Sequence, residues 1–195
     1  MILKAKNPDV VRIFSEGICD MKELLVVVDY QNDFVSGSLG FEKAASLEDT
    51  ICHKIEAYRS RGADVVFTFD THDADYLDTQ EGKCLPVVHC VRGTPGWQLC
   101  GRVAGYCGPD TVCFYKPVFG SRQLADYAGE QGYDAVELCG LVSNICVLSN
   151  AVLIKAALPE AVVTVDAQCT SCADEAMNQK ALDVMEGLQI QVINR

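Results

Sequence analysis

Apolar positions along this chain follow two rhythms. One is the short unbroken run, of which 24–28 (Leu-Leu-Val-Val-Val) is the clearest, as expected of a strand buried on both faces. The other is recurrence at every third or fourth position. Leu47, Ile51, Ile55 and Tyr58 recur this way after Ser46-Leu47-Glu48-Asp49, which has capping-box character, and Gly62 closes the predicted helix. Further strands are expected at 64–69, 111–115, 134–139, 161–166 and 189–193. Ser121 is expected to cap a helix carrying Leu124, Tyr127 and Ala128 and ended by Gly132. The residues after Cys146 are apolar nearly all round, as in a central buried helix. Ser171-Cys172-Ala173-Asp174 is read as the cap of a last helix, with Met177, Ala181, Leu182 and Met185 on one face.

Strands alternating with helices imply βαβ units and right-handed crossovers. The predicted fold is one doubly wound, Rossmann-like α/β domain: about six strands, mostly parallel, with helices on both faces. The domain is expected over 24–195, with 1–23 as an N-terminal extension packed against it. Residues 71–110 show no sustained periodicity, and so long a loop in a compact domain is usually functional.

Composition narrows the partners. Sixteen basic against 27 acidic residues give a net charge of −11, which repels phosphate backbones and anionic lipid. Nucleic acid and membrane are therefore not expected. No apolar run reaches the ~20 residues of a membrane helix, and charges scattered through 1–17 argue against a signal peptide, so a cytoplasmic location is expected. The eleven cysteines would suggest a disulfide scaffold only in a short secreted chain, an odd count cannot pair completely, and most are expected to be reduced.

In doubly wound sheets ligands bind beyond the carboxyl ends of the strands. Asp29, Asp70, Lys116 and Cys146 each follow a different predicted strand, so parallel strands would bring them to one rim. A cysteine at a helix start is biased toward thiolate; its rival reading is a small buried hydrophobe. Together the groups suffice for acyl transfer through a thioester. Lys116 would stabilise the thiolate, Asp29 would carry the proton from thiol to leaving amine, and the Cys146 N–H would help hold the oxyanion. The rivals are a surface lysine and a loop-capping aspartate. Asp70-Thr71-His72, with Glu81 and His89 in the long loop, suits Zn²⁺, Mn²⁺ or Fe²⁺, against a solvated His72 and a packed His89. Cys169-Thr170-Ser171-Cys172 has redox spacing and supports a second reading, a thiol redox or metal-binding protein; its rival is a helix cap flanked by two incidental cysteines.

Five motifs in order carry a resemblance. They are Val28-Asp29-Tyr30-Gln31-Asn32-Asp33-Phe34, Asp70-Thr71-His72, His89-Cys90-Val91-Arg92-Gly93-Thr94, Lys116-Pro117-Val118-Phe119 and Gly140-Leu141-Val142-Ser143-Asn144-Ile145-Cys146-Val147. Over the chain from Leu24 onward the sequence resembles the isochorismatase-like cysteine hydrolases and, within them, the nicotinamidases. The resemblance implies Asp29, Lys116 and Cys146 as catalytic residues. It implies a cis peptide at Leu141–Val142, with the Val142 and Cys146 N–H groups in the oxyanion hole, and one divalent ion, zinc first, on Asp70, His72, His89 and Glu81. In that family the metal ligates the pyridine nitrogen of nicotinamide while the cysteine attacks the carboxamide. Phe34, Gln31 and Trp97 are expected to contact substrate, with Phe34 and Trp97 walling the ring. A small amide substrate and a homo-oligomer follow; another amide or ureido substrate is the alternative. Two departures stand out. Asp73-Ala74-Asp75-Tyr76 occupies the place of a proline and a further histidine, and Ser143-Asn144 that of Thr-Asp. Isochorismatases proper lack the cysteine, which disfavours ether hydrolysis.

Overall fold

Every predicted strand is present in the computed structural model, which describes residues 21–195. They are β1 (Glu23–Val28), β2 (Asp64–Asp70), β3 (Cys113–Lys116), β4 (Ala135–Leu141), β5 (Val162–Ser171) and β6 (Gln191–Ile193). The order across the sheet is β3-β2-β1-β4-β5-β6, and each neighbouring pair is parallel. The helices, in chain order, are α1 (Asn32–Val35), α2 (Glu42–Ser46), α3 (Glu48–Ser60), α4 (Gln80–Cys84), α5 (Arg122–Gln131), α6 (Leu148–Ala157) and α7 (Glu175–Gly187).

Alternate side chains of a strand face opposite ways, so β1 supplies two cores at once. Leu24, Val26 and Val28 join Val66, Val136, Leu138, Val163 and Val165 under α5, α6 and α7. Leu25 and Val27 join Phe67, Cys139 and Cys169 under α3 and the long loop. Burying each such Val or Leu contributes about 1.5–3 kcal/mol. This demand on both faces explains why β1 is an unbroken apolar run.

From β1 the chain winds outward to β3 and then crosses back to β4, so the winding reverses between β1 and β4. That switch point opens a crevice beyond their carboxyl ends. Gly140 makes the close approach possible. Its φ is +105°, and a Cβ there would lie 2.0 Å from the Val28 carbonyl oxygen, which only glycine avoids.

Several local expectations are corrected. Ser46 does not cap α3: it ends α2, its hydroxyl donates to Lys43 O at 2.8 Å, and Leu47 is itself helical (φ −80°, ψ −13°). A cap needs extended backbone at that point. Asp174, not Ser171, caps α7, accepting from Met177 N at 3.1 Å, because β5 runs on through Ser171. The predicted central helix α6 is buried only along Asn150, Ala151 and Ile154, with Val152 40% exposed, since it covers one outer face of the sheet. The long loop is not structureless; it holds α4 and 3₁₀ turns at Tyr76–Asp78, Pro95–Trp97 and Gly101–Tyr106. Of the expected extension, residues 1–20 lie outside the described residues. Among the described residues no helix is long and apolar enough to cross a membrane.

Candidate active site

Four of the six strands, β1 to β4, each deliver one functional side chain to the rim. Lys116 ends β3 and is the register partner of Asp70, which ends β2. Asp29 follows β1 in the left-handed region at φ +45°, a conformation unfavourable for a β-carbon and found mostly where surroundings enforce it. Cys146 lies in a π-helical turn at Ser143–Val147 that leads into α6. The turn follows a cis Leu141–Val142 peptide.

The side chains converge. Lys116, 1% exposed, places Nζ 2.6 Å from Asp29 Oδ2, 3.2 Å from Asp70 Oδ1 and 3.4 Å from Cys146 Sγ. Asp29 Oδ1 accepts from the Thr68 hydroxyl at 2.6 Å. Burial alone favours neutral groups, and for two of these it prevails. It pushes the Asp29 carboxyl up against the opposing pull of Lys116. It pushes the Cys146 thiol well up, with Lys116 opposing and the hydrogen bond to Asp29 adding to the rise. The thiolate bias expected from a helix start is thus outweighed in the resting site. Lys116 goes the other way: burial would lower it, but Asp29, Cys146 and Asp70 hold it well above its usual value.

Asp70 belongs to two groups at once. Its Oδ1 faces Lys116, while Oδ2 lies 3.0 Å from His72 Nε2 and 3.3 Å from His89 Nε2. Glu81, on α4, places Oε1 3.7 Å from His72 and 3.8 Å from His89. The four ligand atoms lie within 4.8 Å of one another. A tetrahedral ion with bonds of ~2.1 Å needs ligand atoms about 3.4 Å apart, so the donor set fits a divalent ion. Two further observations agree. His89 Nδ1 lies 2.7 Å from the Val87 carbonyl, which assigns its proton there and turns the Nε2 lone pair inward. Glu81 Oε2 is buried with no hydrogen-bond partner. Although burial opposes it, the adjacent His72 and His89 imidazoles together with Lys116 hold Asp70 far below the carboxylate range. Burial and Asp70 push Glu81 up, and the neighbouring Asp70 carboxylate raises His89 despite burial by favouring its protonated form.

A cavity of about 290 Å³ opens over these residues, at the small end for ligand sites. Cys146, Val142, Asp70, Glu81 and His89 reach it, and Phe34 stands at its wall 5.6 Å from the His89 ring. Gln31 and Trp97, expected to contact substrate, are not among the residues that line it. Gln31 is fully buried and holds the backbone: Nε2 donates to Asp70 O at 2.9 Å and Trp97 O at 2.7 Å, and Oε1 accepts from Asp70 N at 2.8 Å. The Trp97 ring packs on Phe69 and Tyr115 instead, with Nε1 donating to Thr71 Oγ1 at 2.9 Å.

Other wall residues were not foreseen: Leu39, Phe41, Leu85, Phe119, Asn144 and Met177, brought from five separate segments. Thr68 and Asn150 could have been found, since each is a polar residue inside an apolar element. Asn150 is buried and ties the nucleophile turn to the β3–α5 loop, donating to Cys146 O at 2.8 Å and accepting from Ser121 N at 2.9 Å. Cys169 and Cys172 do not form a redox pair at a helix start. Cys169 packs in the core under α3, whereas Cys172 faces the cavity.

Fold and site define an α/β enzyme with its reactive groups at the switch point of a parallel sheet. The Isochorismatase domain matches residues 23–195, so the chain belongs to the isochorismatase family. It is 29% identical over 143 residues to an uncharacterized isochorismatase family protein PncA of Bacillus subtilis (strain 168), covering 68% of this chain and 78% of that protein. The crystal structure of nicotinamidase/pyrazinamidase PncA from Bacillus subtilis superposes with a TM-score of 0.79 at 28% identity, covering 88% of this chain and 99% of that one. The Pyrococcus horikoshii pyrazinamidase in complex with zinc shares the fold at a TM-score of 0.78 and 23% identity, covering 89% and 99%.

Proposed function

We propose that this protein is a metal-assisted cysteine amidohydrolase that converts nicotinamide and water to nicotinate and ammonia. The observation that carries this reading is the contact of Cys146 with Lys116 and Asp29 beneath a small cavity whose side wall carries Asp70, Glu81 and His89 of the four-ligand cluster. The similarity to nicotinamidases supports the same substrate.

Asp29 takes the thiol proton as Cys146 Sγ bonds to the carboxamide carbon, and Lys116 balances the charge on the sulfur. The N–H groups of Val142 and Cys146 serve the oxyanion. The proton on Asp29 passes to the leaving nitrogen, the C–N bond breaks, and ammonia departs from a Cys146 thioester. Asp29 then takes a proton from water, whose oxygen attacks the thioester carbon; the C–S bond breaks, and the proton returns to the sulfur. A raised Asp29 pKa suits this carrier role, because the group must hold a proton between the two steps. Asp70, His72, His89 and Glu81 would hold one divalent ion, zinc first, which supplies a Lewis acid for a ring nitrogen. Phe34 excludes water from one face of the ring.

Ammonia release from nicotinamide and pyrazinamide by the metal-replete protein tests the assignment. Turnover is expected with both, and turnover of neither removes nicotinamide as substrate. Cys146→Ala should abolish amidase activity; activity retained in that variant would sink the mechanism. The atypical Asp73-Ala74-Asp75-Tyr76 segment makes other small amides and ureido compounds the controls of choice. Its Tyr76 is buried against the His72 and His89 rings at 4.6 and 4.9 Å, so this substitution reshapes the support of the cluster.

A further inference from the structure

Away from the active site, the segment entering β3 brings two sulfurs into contact. Cys107 Sγ and Cys113 Sγ lie 3.4 Å apart. A six-residue separation does not by itself dictate this; the intervening turn does. Thr111 N donates to Gly108 O at 3.1 Å and Gly108 N donates to Thr111 Oγ1 at 3.0 Å, closing Gly108-Pro109-Asp110-Thr111 from both sides. The flanks are held as well. Cys107 N donates to Ala104 O at 3.2 Å, and Val112 O accepts from Phe67 N at 3.1 Å on β2. Both cysteines are half-buried on the edge of the core under α3, while Gly108, Pro109 and Asp110 are exposed. The sulfurs are therefore within reach of a small solute.

We infer that Cys107 and Cys113 are a redox modification site, a thiol pair that a hydroperoxide converts to an intramolecular disulfide without disturbing the sheet. A disulfide needs ~2.05 Å between sulfurs, so closure takes about 1.4 Å of movement, which the exposed glycine-proline turn can supply. In the first step the Cys107 sulfur bonds to one peroxide oxygen, the O–O bond breaks, water leaves and Cys107 carries a sulfenic acid. In the second the Cys113 sulfur displaces that hydroxyl as water and the S–S bond forms. Two thiols and one hydrogen peroxide give one disulfide and two waters, a two-electron oxidation of the sulfurs. The order of steps follows from the surroundings. Burial first, and then the neighbouring Cys107, push the Cys113 thiol up to about 12. The contrast with Cys169 and Cys172 is geometric, since Cys169 packs in the core from within β5 while Cys172 lies past its end at the cavity.

The product would tie the start of the edge strand that ends in Lys116 to the turn before it. β3 is four residues long and pairs only with β2, so it has little else to hold its entry.

The test uses the full chain treated with hydrogen peroxide, blocked with iodoacetamide and digested with trypsin. The tryptic peptide beginning at Val103 carries both cysteines. It should be two hydrogens lighter than the reduced peptide and take up iodoacetamide only after a reductant. Both thiols still alkylated at a dose that oxidises the exposed Cys84, or a sulfinic acid accumulating on Cys107, would overturn the proposal. In Cys107→Ser, Cys113 should remain alkylatable after the same dose; if it is still blocked, its partner is another cysteine and the assignment falls. The oxidised wild type should melt several degrees above the reduced protein, a gain absent from Cys107→Ser. A lower melting temperature on oxidation would show that closure disrupts β3 and would refute it.

Discussion

Asp70 and Lys116 are register partners at the ends of two parallel strands, and their side chains meet 3.2 Å apart. Through this contact the carboxylate that faces His72 and His89 also neutralises the ammonium beside Cys146. Changing Lys116 removes the ammonium that faces both Asp29 and Asp70, whereas changing Asp70 leaves Lys116 with Asp29 as its remaining carboxylate.

Lys116→Met is accordingly expected to cost stability as well as activity. It leaves Asp29 and Asp70 buried without a counter-charge, a loss of about 3–5 kcal/mol for breaking a buried pair. Urea unfolding followed by circular dichroism should show the midpoint fall; an unchanged midpoint would mean that the ammonium is not carrying this charge.

Thr68→Val should affect rate more than binding. The hydroxyl orients Asp29 through a bond to a charged group, worth about 1.5–3 kcal/mol, so kcat should drop roughly 10- to 100-fold with KM nearly constant. Thr68→Ser should recover most of it. Failure of serine to rescue would indicate that the methyl group matters instead.

Gln31→Leu and Phe34→Ala should separate support from substrate contact. Gln31→Leu leaves Asp70 backbone groups unpaired, and metal affinity should weaken about 10- to 100-fold, as for other outer-shell partners. Phe34→Ala should raise KM while leaving metal affinity intact. A KM effect from Gln31→Leu at saturating metal would restore Gln31 as a substrate contact.

Metal content gives an independent check. Zn²⁺ should raise the melting temperature of chelator-stripped protein at one equivalent per chain, by linkage to the folded state. His89→Ala should lose most of that increment and Glu81→Gln part of it. No thermal shift with Zn²⁺, Mn²⁺ or Fe²⁺ would argue against the cluster as a metal centre.

A pH dependence is expected far from the rim, where Lys54 bridges Glu137 and Asp166. Burial would raise Asp166, but Lys54, the Gln168 N–H and Asn194 lower it overall. Its folded pKa lies below the unfolded value, so its stabilisation is complete above about pH 4 and is lost as pH falls through the folded value. Lys54→Met should flatten the acid limb of the stability curve while lowering stability at pH 7. An acid limb as steep as that of the wild type would place the dependence elsewhere.

What the sequence by itself determined is the set of parts and their sides. Apolar runs and helical periodicity are local signals, and they located six strands, the main helices and the strand-end residues Asp29, Asp70, Lys116 and Cys146. The parallel-sheet rule then put those residues on one rim, since it concerns chain direction and not detailed packing. Tertiary structure decided everything that depends on which strands are neighbours. Only the β2–β3 register makes Asp70 shared between the ammonium and the His72, Glu81 and His89 cluster. Only the packing of the long loop turns Gln31 and Trp97 inward, as support for Asp70, while Phe34 faces the cavity. The burial of Cys146 likewise reversed a local argument: a helix start favours the thiolate, but desolvation at the bottom of the switch-point crevice outweighs it. Such effects sum over groups far apart in the chain, and no window of sequence contains them.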